Sequence, residues 1–330
     1  MDTVMKKKAQ KKREPSVNER PSLIKILLIA VRPWALPAST MPVIFGTAMA
    51  VIIGKATFNP VLFLLALFAM VILHSGANML NDFRDYRKGL DKVPTPGSGA
   101  VVRGYIGTKF CLIMALLLLG AGSVLGLILI YYVGLPILIL GVVGIAIGVL
   151  YSMGPVAFKY HALGDLAVFL NFGTLGALGA WTVQTKSLSW IPALWVTPMS
   201  ILVVAILHAN NWRDIQEDKH GGFVSVASLL GDKRSLAYYR FLIFGAFGVI
   251  LLLLFLTRVV KPLQPAMPFT FLITLLVFPF AVKLIRRGKR RALEKNRLDF
   301  IKLDAMTANL NLLFGLLCTA ALILHLVIGG

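Results

Sequence analysis

Acidic side chains are scarce in this sequence, and six of them gather in two short segments. Only 14 of the 330 residues are Asp or Glu. Within residues 210–219, which read NNWRDIQEDK, the side chains of Asn210, Asp214 and Asp218 recur every four residues. On a continued helix, this spacing would place all three on one stripe of the surface.

The other segment, NDFRDYRKGLD at residues 81–91, repeats part of that pattern. Asn81 and Asp85 are again four residues apart, whereas Gly89 stands where a third member would be. Asp91 follows two residues later and could join the others if Gly89 ends the helix. The two segments therefore predict two matching groups of oxygen ligands.

Carboxylate and amide oxygens suit Mg²⁺, which commonly bridges one or two carboxylates to substrate phosphates. Basic residues lie among the acids and could hold the phosphate oxygens that the metal leaves free; they are Arg84, Lys88, Arg213 and Lys219. Ordinary loop charges in contact with solvent are the simpler explanation for one such cluster. Two matching clusters favour a site for Mg²⁺ and a diphosphate.

The rest of the sequence is apolar enough to place these segments at a membrane. Hydrophobic residues make up 58% of the chain and the mean hydropathy is +0.81. Apolar runs of about 20 residues are long enough to cross the ~30 Å hydrocarbon core of a bilayer. We predict an all-α, polytopic membrane protein with nine transmembrane helices, at residues 35–54, 61–80, 110–130, 134–152, 163–183, 190–209, 239–257, 265–282 and 307–328.

Each acidic segment follows an even-numbered helix, the second or the sixth, at the same side of the membrane. This suggests an internal repeat, and we expect two four-helix repeats plus one helix around a central cavity. Of the 34 Lys and Arg residues, only four fall on the opposite side, namely Lys55, Lys186, Arg258 and Lys261. That asymmetry predicts a cytoplasmic N-terminus, cytoplasmic acidic segments and a C-terminus on the far face.

The net charge of +20 follows mainly from this topology, with some attraction to the headgroups of the lipid bilayer, so we expect no nucleic acid partner. Residues 1–20 predict a disordered basic cytoplasmic tail, and residues 21–330 a single membrane domain. Without an evident targeting segment, a bacterial or archaeal inner membrane is the default location. Cys111 and Cys318 lack metal-ligand spacing, and no obligate protein partner is evident.

The acidic segments, taken as NDFRDYRKGLD (81–91) and NNWRDIQEDKHGG (210–222), resemble the two Asp-rich motifs of the UbiA superfamily of intramembrane prenyltransferases. Nine helices and a two-part repeat are also typical of that superfamily. The KGLD ending of the first motif, RPWALPAST (32–40) and PGSGAVVRG (96–104) are similar to its 1,4-dihydroxy-2-naphthoate polyprenyltransferases. The vertebrate UbiA-domain enzymes that make menaquinone-4 share much of this pattern.

The resemblance implies Mg²⁺-dependent transfer of a polyprenyl group from a polyprenyl diphosphate to an aromatic acceptor, 1,4-dihydroxy-2-naphthoate, in menaquinone biosynthesis. It implies that the metal ligands are Asp85, Asp214, Asp218, Asn81 and Asn210, with Asp82 and Asp91 as weaker candidates. The candidates for holding the diphosphate are Arg84, Lys88, Lys159, Arg213, Lys219 and Tyr151. Lys159 could instead be an ordinary positive-inside residue, and Tyr151 an aromatic residue of the membrane interface.

Two alternatives stay open at the level of the sequence. The acceptor could be 4-hydroxybenzoate, homogentisate or a glyceryl phosphate ether, as in other UbiA enzymes, which more often have Asp at the position of Gly89. An ion or small-molecule transporter would also combine repeats with charged residues at a membrane. A transporter should place its key charges near the middle of the membrane, whereas these acids lie at helix ends.

Overall fold

The computed structural model describes residues 21–89, 99–154, 157–220, 222–294, 300 and 302–329, with the backbone alone at 217, 220 and 291–294. The predicted tail at residues 1–20 lies outside this part, as does Asp91. The α-helices are α1 (Leu23–Val31), α2 (Pro37–Ile52), α3 (Pro60–Arg87), α4 (Thr108–Val133), α5 (Leu135–Ser152), α6 (Gly164–Val168), α7 (Leu175–Thr185), α8 (Trp190–Trp195), α9 (Thr197–Arg213), α10 (Ile215–His220), α11 (Val226–Val259), α12 (Phe278–Glu294) and α13 (Leu303–Val327).

Shorter helical turns connect several of these helices. A π-helical turn at Phe169–Thr174 joins α6 to α7, and 3₁₀ turns lie at Pro33–Ala35, Phe158–Tyr160, Lys261–Leu263 and Phe269–Val277. The described residues contain no β-strand, so the prediction of an all-α membrane protein is confirmed.

Seven helical stretches among the described residues are long and apolar enough to cross a membrane, at Pro60–Arg87, Thr108–Val133, Leu135–Ser152, Gly164–Thr185, Val226–Val259, Phe269–Arg290 and Leu303–Val327. Leu23–Ala35 and Pro37–Ile52 meet the same criteria as one pair bent by 54°. The predicted helix at 190–209 is divided between α8 and α9 at Val196, and each part is too short by itself. Nine spans and the four-helix repeat stay predictions.

The core lies where α2, α9, α11 and α13 pack together. The rings of Phe45 and Trp195 both meet Phe271 edge to face, at centroid distances of 6.1 and 5.8 Å. A second, smaller cluster lies between α1, α3 and α4, around Met79 and Cys111. The ends of α3 and α9 are anchored in these two clusters, and each of those ends carries one acidic segment.

Helix breaks shape both acidic segments. Gly89, with a φ of 71°, follows the end of α3 in the left-handed region, as the sequence predicts for a helix-ending glycine. The condition under which Asn210, Asp214 and Asp218 would share one stripe, a single continued helix, is not met. The backbone leaves helical geometry at Asp214 (φ −100°, ψ 13°), between α9 and α10. Asp218 nevertheless donates its N–H to the Asp214 carbonyl at 2.9 Å, so the two acids stay one turn apart.

Candidate active site

In the first motif, one lysine joins the two oxygen ligands that the spacing predicts. Asn81 and Asp85 lie on one turn of α3, and the Lys159 ammonium donates to Asn81 Oδ1 at 3.0 Å and to Asp85 Oδ2 at 2.5 Å. Tyr160 donates its hydroxyl to the other Asp85 oxygen at 3.2 Å, and Ser152 donates to Asn81 Oδ1 at 3.2 Å. Lys159 thus holds a positive charge between the Asn81 and Asp85 oxygens.

The segment that carries Lys159 also touches the second motif. The backbone N–H of Ala162 donates to the Val224 carbonyl at 2.6 Å, and the Val224 N–H to the Tyr160 carbonyl at 3.3 Å. The rings of Tyr160 and Phe223 pack with centroids 4.3 Å apart, and the Lys88 ammonium lies 3.7 Å from the Tyr160 centroid. The ends of the two motifs, far apart in sequence, therefore form one structural unit.

In the second motif, Arg213 binds two carboxylates. Its Nε and Nη2 donate to the two oxygens of Asp214 at 2.8 and 2.9 Å, which is the bidentate geometry favoured by guanidinium groups. Its Nη1 donates to Asp304 Oδ2 at 2.7 Å, in the first turn of α13. Asn210 donates its amide to the same Asp304 oxygen at 3.3 Å. Asp214 is thus neutralised by a base, as Asp85 is.

Asp218 connects the charges of both motifs. Ser225 donates its hydroxyl to Asp218 Oδ2 at 3.3 Å. Burial raises the pKa of Asp218 to about 7; the Lys159 ammonium opposes this shift, and the Asp214 and Asp85 carboxylates add to it. Carboxylates that raise one another's pKa gain most from a bound cation, because it removes their mutual repulsion.

These residues fit a divalent cation whose coordination is completed by oxygen atoms of its substrate. Among the residues described, no three Asp, Glu, His or Cys side chains converge as a ready-made metal site. Mg²⁺ commonly takes only one or two carboxylates and fills its remaining positions with water and phosphate oxygens. Asn81 with Asp85, and Asn210 with Asp214 and Asp218, offer oxygen ligands of that kind. Among the described residues, the buried Arg84 Nε has no hydrogen-bond partner, so its N–H could donate to an anion.

A cavity of about 560 Å³ extends from this polar group into the helix bundle. Asn81, Lys159, Asn210 and Asp304 line its polar end. Along α3 the lining continues from Asn81 back to Ala66, a distance of about 22 Å at 1.5 Å per residue. Most of the remaining wall consists of Ala, Val, Leu, Ile and Gly side chains from α3, α4, α5 and α7. The cavity can hold a molecule with an anionic head and a long apolar tail.

The other predicted residues take different positions. Tyr151 lines the cavity, and its ring lies next to Gly164, which also contacts Lys159. Lys219 is exposed. The Lys88 ammonium lies over the Tyr160 ring.

Asp82, a weaker candidate for the metal, lies in a different place from the other acids. Its side chain is buried, at 1% exposure, beneath Gly99 and accepts the Val101 N–H at 3.2 Å. Asp82 is rotated by about 100° around α3 from Asn81, since each helical residue turns by that angle. It therefore faces the segment before α4, where it holds the loop instead of joining the other acids.

Two residues of the site were missed by the sequence reasoning. Asp304 is a lone acid outside both motifs, and only its place in the first turn of the last helix could have drawn attention to it. Tyr160 stands next to Lys159 in the sequence, but its hydrogen bond to Asp85 depends on how the Phe158–Tyr160 turn folds. Neither contact has a signal in residue spacing.

Two relatives of known name are similar to this chain in sequence. The chain is 31% identical over 300 residues to the UbiA prenyltransferase domain-containing protein 1 of Mus musculus, covering 90% of this chain and 83% of the relative. It is 35% identical over 216 residues to the 1,4-dihydroxy-2-naphthoate octaprenyltransferase of Bacillus subtilis (strain 168), covering 65% of this chain and 69% of the relative.

Solved structures share the fold at lower identity. A UbiA homologue from Aeropyrum pernix K1 superposes with a TM-score of 0.61 at 17% identity, covering 90% of this chain and 98% of the homologue. A UbiA homologue from Archaeoglobus fulgidus bound to DMAPP and Mg²⁺ gives a TM-score of 0.55 at 14% identity, covering 89% and 99%. The profile of the UbiA prenyltransferase family matches residues 39–303, which is most of the chain. The chain therefore belongs to the UbiA prenyltransferase family and is a multi-pass membrane protein.

Proposed function

We propose that this prenyltransferase transfers a polyprenyl group from an allylic diphosphate to 1,4-dihydroxy-2-naphthoate, as a step of menaquinone biosynthesis. The observation that carries the proposal is the polar end of the cavity, where both motifs meet next to an apolar space that suits a prenyl chain. The naphthoate acceptor is supported by the Bacillus subtilis relative, which is named for that substrate.

Asp85, Asp214, Asp218, Asn81 and Asn210 would hold Mg²⁺ in this reaction. When bound, Mg²⁺ supplies Lewis-acid charge that neutralises a departing diphosphate. Lys159 and Arg213 pair with Asp85 and Asp214 in this structure. In the loaded enzyme both side chains would be free to donate to phosphate oxygens, together with Arg84. The preorganised donors would stabilise the negative charge that develops as the carbon–oxygen bond breaks.

The proposed reaction balances without a general base. The bond between the allylic carbon and the diphosphate oxygen breaks, and its electron pair leaves with the diphosphate. The acceptor carbon that bears the carboxylate forms the new carbon–carbon bond with the allylic cation. Its bond to the carboxylate then breaks, CO₂ leaves, and the electron pair restores the aromatic ring. The apolar wall of the cavity would keep water away from the cation.

The orientation is part of the proposal. The N-terminus and the motif loops would face the cytoplasm of a bacterial or archaeal cell, because nearly all Lys and Arg residues fall on that side of the predicted topology. A water-soluble diphosphate head could then reach the polar end of the cavity, while the prenyl tail enters the apolar part.

The test is an assay of the detergent-purified protein with Mg²⁺, geranylgeranyl diphosphate and a panel of acceptors. We expect a prenylated naphthoquinol and one CO₂ per product from 1,4-dihydroxy-2-naphthoate. Chelation by EDTA should stop the reaction, and excess Mg²⁺ should restore it. Product from 4-hydroxybenzoate or a glyceryl phosphate ether alone would contradict the proposed acceptor. No product from any acceptor, with protein that remains folded, would contradict the whole proposal.

A further inference from the structure

Asp304 lies outside both Asp-rich motifs, but its side chain contacts residues of the second one. It lies in the first turn of α13, lines the polar end of the cavity, and its side chain is 15% exposed. Its Oδ2 accepts from Arg213 at 2.7 Å and from Asn210 at 3.3 Å. Its Oδ1 accepts the N–H of Ala305 at 2.8 Å, which fixes the carboxylate at the start of the helix.

The contact with Asn210 fixes which way that amide faces. A carboxylate can only accept hydrogen bonds, and within an amide only the nitrogen donates. The nitrogen of Asn210 must therefore face Asp304, and the amide oxygen must face away from it. Asn210 Oδ1 has no hydrogen-bond partner among the described residues. Asp304 thus leaves available the one atom of Asn210 that could bind a cation.

The contact with Arg213 matters when Asp214 changes partner. In the present structure, Asp214 takes two of the guanidinium donors and Asp304 takes a third. An Asp214 carboxylate that turns toward a cation gives up some or all of its hold on Arg213. Asp304 would then be the carboxylate that keeps Arg213 at the polar end of the cavity, where the phosphates would lie.

We propose that Asp304 is a positioning residue of the diphosphate site, which holds Arg213 and orients Asn210 for the metal-bound diphosphate. This inference rests on the proposed function. If Asp304 had only a structural role, it would stabilise α13 as an acid in the first turn, through the helix dipole, and would not affect binding of the diphosphate. The two accounts differ in what they predict for diphosphate binding.

The test compares Asp304→Asn with Asp304→Glu. The amide oxygen of Asp304→Asn can still accept the Ala305 N–H. The neutral amide cannot make charge-assisted hydrogen bonds to both Arg213 and Asn210. We expect its KM for geranylgeranyl diphosphate to rise about tenfold, the order expected for losing a charge-assisted hydrogen bond. The KM for the acceptor and the melting temperature should change little. Asp304→Glu keeps the charge and should recover part of the loss.

A second readout does not need turnover. Inorganic pyrophosphate with Mg²⁺ should bind to the wild-type protein in a calorimetric titration, and about tenfold more weakly to Asp304→Asn. Asp304→Asn made in an Arg213→Gln background should weaken pyrophosphate binding further by less than about threefold, because the effects of residues that act through one another are not additive.

The outcomes separate the inference from the proposed function. Unchanged pyrophosphate affinity in Asp304→Asn, with an active wild-type enzyme, would overturn the role of Asp304 and leave the function standing. Fully additive effects with Arg213→Gln would overturn its action through Arg213. A wild-type protein that binds no Mg²⁺–pyrophosphate and makes no product would overturn both.

Discussion

At the scale of single residues, Asp85 and Asp214 each combine an ion pair with the strongest claim to the metal. Each is neutralised by one basic side chain, Lys159 or Arg213. Their substitution by Asn removes a charged ligand while keeping the shape. It also leaves the basic partner without its carboxylate, a change that costs more than the loss of a neutral hydrogen bond.

We expect Asp85→Asn and Asp214→Asn each to lower kcat at least about a hundredfold, as is typical when a group that stabilises charge in the transition state is lost. The rate of prenyl transfer at saturating Mg²⁺ and diphosphate measures this. Asp232→Asn is the matched control, because Asp232 lies outside both motifs and accepts the Trp212 indole N–H at 2.8 Å. Near-normal turnover in either motif variant would refute the assignment.

Tyr151 offers a second test at this scale, because its hydroxyl and its ring predict different things. The sequence suggested a contact between the hydroxyl and the diphosphate, whereas the structure places the residue in the cavity wall beside Gly164. An aromatic face there could stabilise the allylic cation. We expect Tyr151→Phe to keep most of kcat and Tyr151→Leu to lose about tenfold, in line with a cation–π contribution of one to two kcal/mol.

Single-turnover rates of prenyl transfer would distinguish the two roles of Tyr151. An equal loss in Tyr151→Phe and Tyr151→Leu would assign the effect to the hydroxyl instead of the ring. No loss in either variant would remove Tyr151 from the site.

Spacing in the sequence predicted the residues that act as neighbours on one helix turn, and little more. Asn81 and Asp85 were found because four residues make about one turn. The direction of the Asp82 side chain was not predictable, because adjacency to Asn81 in the sequence does not reveal that Asp82 faces Gly99. Asp304 could not be predicted, since its contact with Arg213 spans 91 residues and depends on where α13 packs.

At the scale of helices, the bundle depends on backbone contacts that only small residues allow. Helices α2 and α7 approach so closely at Gly46 that an added Cβ would lie 2.3 Å from the Ala177 carbonyl oxygen. Neither backbone can yield without moving a whole helix, because both are buried in the core. In a membrane, such close approach replaces the hydrophobic effect as a source of association between helices.

We therefore expect Gly46→Ala to lower the free energy of unfolding by about 1–3 kcal/mol, the usual cost of overpacking. The change is measured as a shift of the melting temperature in detergent, which is monitored through the fraction of protein that stays monodisperse on heating. Gly245→Ala in α11 is the control, because among the described residues nothing apart from the backbone of its own helix lies within 4 Å of an added Cβ there. Equal melting temperatures for the two variants would show that α2 and α7 can move apart to accommodate the added Cβ without loss of stability.

The positions of the helices were predictable because apolar runs mark them, but their breaks were not. The sequence places one helix at 190–209, whereas the chain ends α8 at Trp195 and restarts at Thr197, next to Pro198. Proline lacks an N–H and suits the first turn of a helix, which favours a restart at this point. The break at Asp214 has no comparable signal in the sequence.

At the scale of the whole molecule, the position of the cavity bears on the predicted membrane topology. The polar end of the cavity lies where α3 and α9 end, and the predicted topology directs both helices toward the same side of the membrane. In that predicted topology, the segment from α8 through α9 crosses the membrane after α7. Trp190 to Arg213 would extend about 36 Å as a helix, enough to cross a hydrocarbon core of ~30 Å.

We expect reporters inserted after Lys186 and after Gly222 to lie on opposite sides of the membrane. The first position should share its side with a reporter after Gly330, and the second should share its side with the N-terminus. The positive-inside asymmetry supports this arrangement, since Lys186 is among the few basic residues assigned to the far side. Accessibility of single cysteines to an impermeant reagent in sealed vesicles, with Cys111 and Cys318 replaced by Ser, measures it without large fusions. Equal accessibility after Lys186 and Gly222 would mean that α8 and α9 do not cross, which would leave the chain with eight spans and its termini on one side.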